Sequence, residues 1–110
     1  MARPRKCKNV CGLPKITSFI QENLVESNPA LTVLTVEEYE VIRLIDHEDM
    51  TQEECSVQMQ VSRPTVQILY NKARKKISEF LLNGGRLQIQ GGDYKLCKGN
   101  GHCHRRRCGW

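Results

Sequence analysis

The chain has 110 residues, of which 39% are apolar and only 5% are aromatic. This length is enough for one small domain with a mostly aliphatic core and leaves no room for a second domain. No apolar run is long enough to span a membrane, and the first residues, MARPRKCKN, lack the apolar segment of a signal peptide. The sequence therefore predicts a cytoplasmic protein that does not enter a membrane.

The net charge of +5 is unevenly distributed along the chain. Residues 1–15 carry five basic residues and no acidic one, and residues 16–60 carry ten acidic residues and one basic. Residues 61–110 carry eleven basic residues and two acidic ones. Clustered basic charge favours a polyanion as partner, because phosphate contacts release counterions. We expect the acidic middle to face away from that partner, to meet a basic protein, or simply to keep the chain in solution.

The chain begins with a basic N-terminal arm, residues 1–30. The arm is expected to be irregular because the prolines at positions 4, 14 and 29 break helices. A helical domain follows over residues 31–83. Its first helix opens at Thr35, with Glu38 three residues on to complete a capping box. The apolar spacing gives this helix an inner face of Tyr39, Ile42 and Ile45.

The stretch from Thr51 to Lys76 is typical of a helix-turn-helix, in which a short helix, a tight bend and a longer basic helix follow one another. Thr51 and Glu54 form a second capping box. Ser62 caps the longer helix and Pro64 lies in its first turn, where the missing N–H has no cost. The inward side of the first helix and the bend are marked by Cys55, Met59 and Val61.

The longer helix has two distinct faces. Its predicted core face consists of Val66, Leu69, Tyr70, Ala73, Ile77, Phe80 and Leu81. Its predicted outer face consists of Arg63, Thr65, Gln67, Asn71, Lys72, Lys75 and Lys76. These outer side chains are of the types that contact base edges and phosphates in a major groove. The alternative is an ordinary helical hairpin with a solvated charged face.

Residues 84–96 are predicted to form a small C-terminal β-hairpin. Asn83-Gly84-Gly85 ends the helix, and two alternating segments then flank Gly91-Gly92 as a two-residue turn. An isolated two-stranded ribbon is only marginally stable, so its apolar side chains need cover. We expect them to pack against the long helix or in a dimer interface; they are Leu87, Ile89, Tyr94 and Leu96.

Four ordered motifs give the chain a family resemblance. They are MARPRK, LTVEEYEVIRLIDHEDMTQEE, VSRPTVQ and LQIQGGDY. Together they resemble a family of small prokaryotic predicted DNA-binding proteins, domain of unknown function 134, whose helix-turn-helix is similar to region four of primary sigma factors. The resemblance implies that Ser62, Arg63, Gln67 and Lys72 lie at or near DNA. Two positions depart from that pattern, since Gln60 stands where the bend commonly has glycine and Ile68 where a basic residue is common.

Five of the six cysteines lie towards the ends of the chain, in the arm and in a Cys/His/Arg-rich tail, residues 97–110. Disulfides are disfavoured in the cytoplasm, whereas thiolates and imidazoles bind zinc or an iron–sulfur cluster. The predicted ligand set is Cys7, Cys11, Cys97 and Cys103, with His102, His104 and Cys108 as alternates. The alternative is a set of reduced, mobile thiols. Cys55 is expected in the core.

The sequence thus predicts a mostly helical DNA-binding protein that regulates transcription, acts as a homodimer on double-stranded DNA and contains no catalytic motif. Further phosphate contacts are expected from Arg3, Arg5 and Arg105–Arg107. One rival interpretation is an adaptor that binds RNA polymerase or another protein through the acidic helix. The other is a metal- or redox-sensing regulator that uses the terminal cysteines.

Overall fold

The computed structural model describes residues 8–25 and 27–96. The chain runs through strands β1 (Lys8–Val10), β2 (Ser18–Ile20) and β3 (Leu31–Leu34), helices α1 (Val36–Ile42), α2 (Gln52–Met59) and α3 (Arg63–Asn83), and strands β4 (Arg86–Ile89) and β5 (Tyr94–Leu96). A π-helical segment, Arg43–His47, continues α1. Helices carry most of this regular structure, as predicted. None of the described helices combines the length and the hydropathy needed to cross a membrane.

The described strands form two small sheets. In the larger sheet, β4 lies in the centre, antiparallel to β2 and parallel to β3. In the smaller sheet, β1 pairs in parallel with β5. The predicted hairpin of residues 84–96 is therefore wrong in its pairing, because its two strands belong to different sheets.

The segment between β4 and β5 passes over the start of α1 instead of closing a hairpin turn. The Gly91 carbonyl accepts a hydrogen bond from the Val36 N–H at 3.0 Å. The Asp93 N–H donates to Glu37 Oε1 at 2.6 Å. Gly92 has φ +104°, and a Cβ there would overlap the Glu37 carboxylate. The two glycines are needed for this close crossing, since other residues rarely adopt a positive φ.

The described part of the N-terminal arm is less irregular than predicted. Asn9 and Val10 in β1 are buried, and β2 forms an edge of the larger sheet. Both strands pair with partners near the other end of the chain. The arm is therefore built into the fold, and three-residue strands of this kind leave little periodic signal in the sequence.

The predicted helix starts are confirmed. Thr35 Oγ1 accepts the Glu38 N–H at 3.2 Å, and Glu38 Oε1 accepts the Thr35 N–H at 2.9 Å. Thr51 and Glu54 make the same reciprocal pair at 3.1 and 2.9 Å. Ser62 caps α3. Each cap satisfies backbone N–H groups that the first turn of a helix leaves unpaired.

The core has two apolar clusters. One lies between the sheets, α1 and the second half of α3, and contains Val10, Leu34, Val36, Ala73, Leu87 and Ile89. The other joins α1, α2 and the first half of α3, and contains Val41, Leu44, Met50, Cys55, Met59 and Val66. Cys55 is fully buried, as predicted. Leu87 and Ile89 lie in the cluster that contains Ala73 of α3, and Tyr94 packs against this cluster, whereas Leu96 is 50% exposed and is not part of it. The prediction that Leu81 belongs to the core is wrong, because 76% of this residue is exposed.

Candidate nucleic-acid interface

The bend between α2 and α3 depends on one residue in a left-handed conformation. Gln60 has φ 59° and ψ 44°, and its N–H donates back to Ser56 and Val57 carbonyls. The Val61 N–H donates to Ser56 O at 3.0 Å, which completes the turn. This conformation costs a non-glycine residue on the order of 1 kcal/mol. The bend lies where the sequence predicts it, and Gln60 adopts the left-handed conformation although it lacks the conformational freedom of glycine.

The start of α3 holds two hydroxyls that already bond to one another. Ser62 Oγ accepts the Thr65 N–H at 3.3 Å and lies 2.9 Å from Thr65 Oγ1. Ser62 is exposed, whereas Thr65 is half-buried. Both residues were predicted DNA contacts. Their main contribution in this structure is to fix the first turn of α3.

Four polar side chains form a ridge along the solvent face of α3. They are spaced by four residues and all are exposed: Arg63, Gln67, Asn71 and Lys75. Lys72, also predicted, is exposed next to this ridge. Ile68 lies on the same face with 55% of its surface exposed. An apolar side chain there can contact a thymine methyl group, while its neighbours offer donors and acceptors to base edges.

Lys76 differs from the prediction that places it on the outer face. Its Nζ lies 2.6 Å from Glu38 Oε1, and the Glu38 side chain is only 4% exposed. The pair joins α3 to α1. Because a buried carboxylate left without its cation is strongly destabilising, the role that this geometry favours for Lys76 is structural.

Arg74 is a further basic residue of α3 that the sequence interpretation missed. It is exposed, and its guanidinium lies 5.2 Å from the centre of the Tyr70 ring. The Tyr70 hydroxyl donates to Asp46 Oδ1 at 2.7 Å, and this hydrogen bond raises the pKa of Tyr70. The four-residue spacing of Tyr70 and Arg74 could have indicated the contact. Arg74 is thus held beside the polar ridge.

The acidic helix α1 presents little of its charge to solvent. Glu37, Glu38 and Glu40 are all buried. Glu37 pairs with Lys8 Nζ at 2.9 Å, and Glu40 pairs with Arg43 Nε at 2.8 Å. Burial alone would lower the pKa of Arg43, but the hydrogen bond and charge of Glu40 outweigh it and raise that pKa. The three buried glutamates of α1 therefore form ion pairs inside the fold instead of charging its surface.

The Glu40–Arg43 pair belongs to a buried polar network that joins β1, α1 and α2. Glu40 Oε2 accepts the Cys11 N–H at 3.0 Å. The Gln58 side chain donates to Cys11 Sγ at 3.2 Å, and the Asn9 side chain donates to the Gln58 carbonyl at 3.1 Å. The network fixes the end of β1 against the helices. It was not predicted from the sequence, because its members come from three separate segments.

Comparison with known proteins gives the family. A family described as "Protein of unknown function DUF134" matches residues 1–97. The chain belongs to this family. A "UPF0251 protein" of Desulfitobacterium hafniense is 48% identical over 97% of this chain and 90% of its own length. Proteins of the same name from Halothermothrix orenii and Pelotomaculum thermopropionicum are 45% and 44% identical over 99% of this chain and 79% and 81% of their own. No solved structure shows significant similarity.

Neither the DUF134 description nor the names of these relatives state an activity. The expected metal ligands fall mostly outside the described residues, namely Cys7, Cys97, His102, Cys103, His104 and Cys108. Cys11 is described and is half-buried. Across residues 8–25 and 27–96, no three His, Cys, Asp or Glu side chains are grouped to hold a metal ion.

Proposed function

We propose that this chain binds double-stranded DNA through the solvent face of α3 from Arg63 to Lys75 and acts as a transcriptional regulator. The observation that carries the proposal is the exposed ridge of Arg63, Gln67, Asn71 and Lys75. The opposite side of the same helix packs on α2 through buried Val66, Cys55 and Met59. A helix supported on one side and lined with donors and acceptors on the other is suited to a major groove.

The exposed polar residues on and beside the ridge divide by chemistry into two groups. Arg63, Gln67 and Asn71 are near the helix start and have planar groups that can pair with base edges, Arg with guanine and Gln or Asn with adenine. Lys72 and Lys75, together with Arg74, present cations that suit phosphates, which position a protein without reading sequence. Base recognition is therefore assigned to the first turns and backbone contact to the following ones.

The burial of α1 favours this function over the adaptor alternative. An adaptor that used the acidic helix would need its carboxylates at the surface, whereas Glu37, Glu38 and Glu40 are at most 5% exposed. The exposed acidic residues near α2 are Asp46, Asp49, Glu53 and Glu54. An acidic contact beside α2 would use those residues and not the buried carboxylates of α1.

The experiment is selection of bound sequences from random DNA, followed by titration of the selected site at several salt concentrations. Arg63→Ala should weaken binding by about 1–3 kcal/mol and relax sequence preference. Lys75→Ala should weaken all sequences alike and reduce the salt slope by about one unit. Lys15→Ala is the matched control, since Lys15 is exposed in the loop after β1. Unchanged binding by both α3 variants, or no enriched sequence, would show that α3 does not read DNA.

A second candidate function, metal binding at the terminal cysteines, is favoured by the strand register. Val10 pairs with Leu96 in a parallel ladder, so the two strands point to the same edge of their sheet. In the sequence, Cys11 follows Val10 and Cys97 follows Leu96. The Gln58 donor to Cys11 Sγ would stabilise a thiolate there. When bound, zinc or an iron–sulfur cluster would link the two chain ends.

The test is elemental analysis of reduced protein made without a His-tag, for the parent and for Cys11→Ser and Cys97→Ser variants. We expect about one metal site per chain in the parent and loss of metal in both variants. Absence of metal from the parent, with these two thiols freely alkylated, would rule out the site. The DNA titration can be repeated with a chelator. If the affinity for DNA is unchanged when elemental analysis shows that the metal has been removed, the role of the metal is structural only.

A further inference from the structure

The end of α3 that is remote from the polar ridge carries an exposed apolar surface, which we call the C-terminal patch. It consists of Phe19 and Ile20 from β2 and Leu81 and Leu82 from α3, which are 41, 56, 76 and 84% exposed. Ile20, Leu81 and Leu82 line one groove together with Phe80. Such a patch exposes on the order of 500 Å², which is the upper range for a monomeric protein.

An apolar cavity of about 240 Å³ adjoins the patch. It lies between the larger sheet, α1 and α3, and Phe19, Tyr39, Ile77, Phe80 and Leu87 are among its lining residues. Phe80 also lines the neighbouring groove, so the cavity and the groove lie side by side. Because an apolar cavity of roughly 150 Å³ holds a benzene-sized group, this one has room for a leucine side chain.

We infer that a second copy of this chain covers the C-terminal patch. The same region carries two exposed leucines and an apolar cavity of a size that fits one of them, so each copy would offer both a side chain and a cavity to the other. Self-complementarity is what a two-fold interface requires, since each copy then offers the same residues to the other. In this arrangement Leu82 of each copy enters the cavity of its partner.

The backbone of β2 fits the same arrangement. In the strand order β2-β4-β3, β2 is an edge strand whose outer side has no partner among the described strands. Two antiparallel copies of an edge strand can pair across a two-fold axis. Charge does not oppose the contact, because exposed residues of both signs, Glu79 and Arg86, lie next to the patch.

Area and position are consistent with a dimer. Two patches together would bury roughly 1,000 Å², near the lower limit for a specific protein interface. Leu82 is about 28 Å from Arg63 along α3 at 1.5 Å per residue. A dimer formed through the C-terminal patch would leave both polar ridges uncovered. The inference stands apart from the DNA-binding proposal, since it depends only on apolar exposure and shape.

Two alternatives to a second copy fit the C-terminal patch less well: a small ligand and the chain's own ends. The cavity lining exposes no polar atom, whereas ligand pockets normally contain a few polar groups that orient the ligand. The sequence outside the described residues is mostly basic and polar, with little apolar surface beyond Met1 and Trp110. Neither a small ligand nor the chain's own ends therefore match the C-terminal patch as well as a second copy does.

The experiment is sedimentation velocity of the full chain without DNA, from micromolar to submillimolar concentration. We expect the parent to form a dimer and Leu82→Glu to shift it to a monomer, with the Kd raised at least tenfold. Val57→Glu is the matched control, because Val57 is 72% exposed on α2 and lines neither the groove nor the cavity. Circular dichroism verifies that each variant is folded.

A parent that is monomeric throughout would overturn the inference, as would a Leu82→Glu variant that dimerises like the parent. Dimer loss in Val57→Glu but not in Leu82→Glu would place the interface on α2 and would also overturn it. Since no DNA is present, a failure here is distinct from a failure of the DNA-binding proposal.

Discussion

Removing the Glu40 carboxylate tests how far the buried polar network stabilises the fold. Glu40 is fully buried and accepts hydrogen bonds from Arg43 at 2.8 and 3.0 Å and from the Cys11 N–H at 3.0 Å. In Glu40→Ala these donors lose their acceptor. Arg43, which is 7% exposed, would retain Glu48 as an ion-pair partner at 3.6 Å.

The expected cost follows from the geometry. Removing one partner of a buried, hydrogen-bonded ion pair costs about 3–5 kcal/mol, because the other charge stays desolvated. A domain of this size is stabilised by about 5–15 kcal/mol in total. Glu40→Ala should therefore remove a large fraction of the free energy of unfolding. Replacing both charges, in Glu40→Leu/Arg43→Met, should recover part of it, since no desolvated guanidinium remains, although the Cys11 N–H still loses this acceptor and Glu48 loses its cation.

Urea unfolding followed by circular dichroism measures both effects. Glu79→Ala serves as control, because Glu79 is exposed on α3 and should change stability by no more than about 0.5 kcal/mol. A cost below about 1 kcal/mol for Glu40→Ala, which is the value of a solvent-exposed pair, would contradict a stabilising role for the network. A double variant less stable than the single one would contradict it as well.

Four further predictions concern stability and reactivity. Burial raises the pKa of the Cys55 thiol to about 12, so Cys55 should resist alkylation at pH 8 until the chain is unfolded, as peptide mass mapping would show. Burial likewise raises the pKa of Tyr39 from 10.0 to about 12. The contribution of the neutral Tyr39 hydroxyl to the free energy of unfolding is therefore complete below pH 10 and is lost as the pH rises through 12, which unfolding measurements at stepwise alkaline pH would show. Thr51→Ala should cost about 1 kcal/mol in urea unfolding by removing the α2 cap, and a cost near zero would show that the cap is dispensable. Gly85→Ala should lower the melting temperature, because Gly85 has φ +88° and an added Cβ would overlap the Ala30 carbonyl.

The helices could be predicted because their signals are local. A capping box needs two residues three positions apart, and both boxes formed as expected at Thr35 and Thr51. The buried face of α3 could be recognised from its spacing, except at its last turn. Leu81 continues the apolar pattern, but among the described residues it stays 76% exposed, because no element in that part of the chain packs over it. Spacing shows which residues share a face and does not show where the covering element ends.

The strand pairing could not be predicted because it is non-local. The alternation around Gly91-Gly92 is compatible with a hairpin, but it carries no information that β2 and β3 occupy the two edges of β4. For the same reason the sequence does not predict the Lys76–Glu38 pair, whose members are 38 residues apart. Exposure of the α3 ridge could be predicted, whereas the structural role of Lys76 needed the position of α1.

The parallel pairing of β1 with β5 determines when the domain can be completed during synthesis. Lys8 is opposite Tyr94, which is added about 86 residues later. At a synthesis rate of roughly 5–20 residues per second, β1 is made some seconds before β5. Until then Val10, which is fully buried in the finished fold, lacks part of its cover. A nascent chain that ends before β5 should therefore be more open to proteolysis at β1 than the complete chain is.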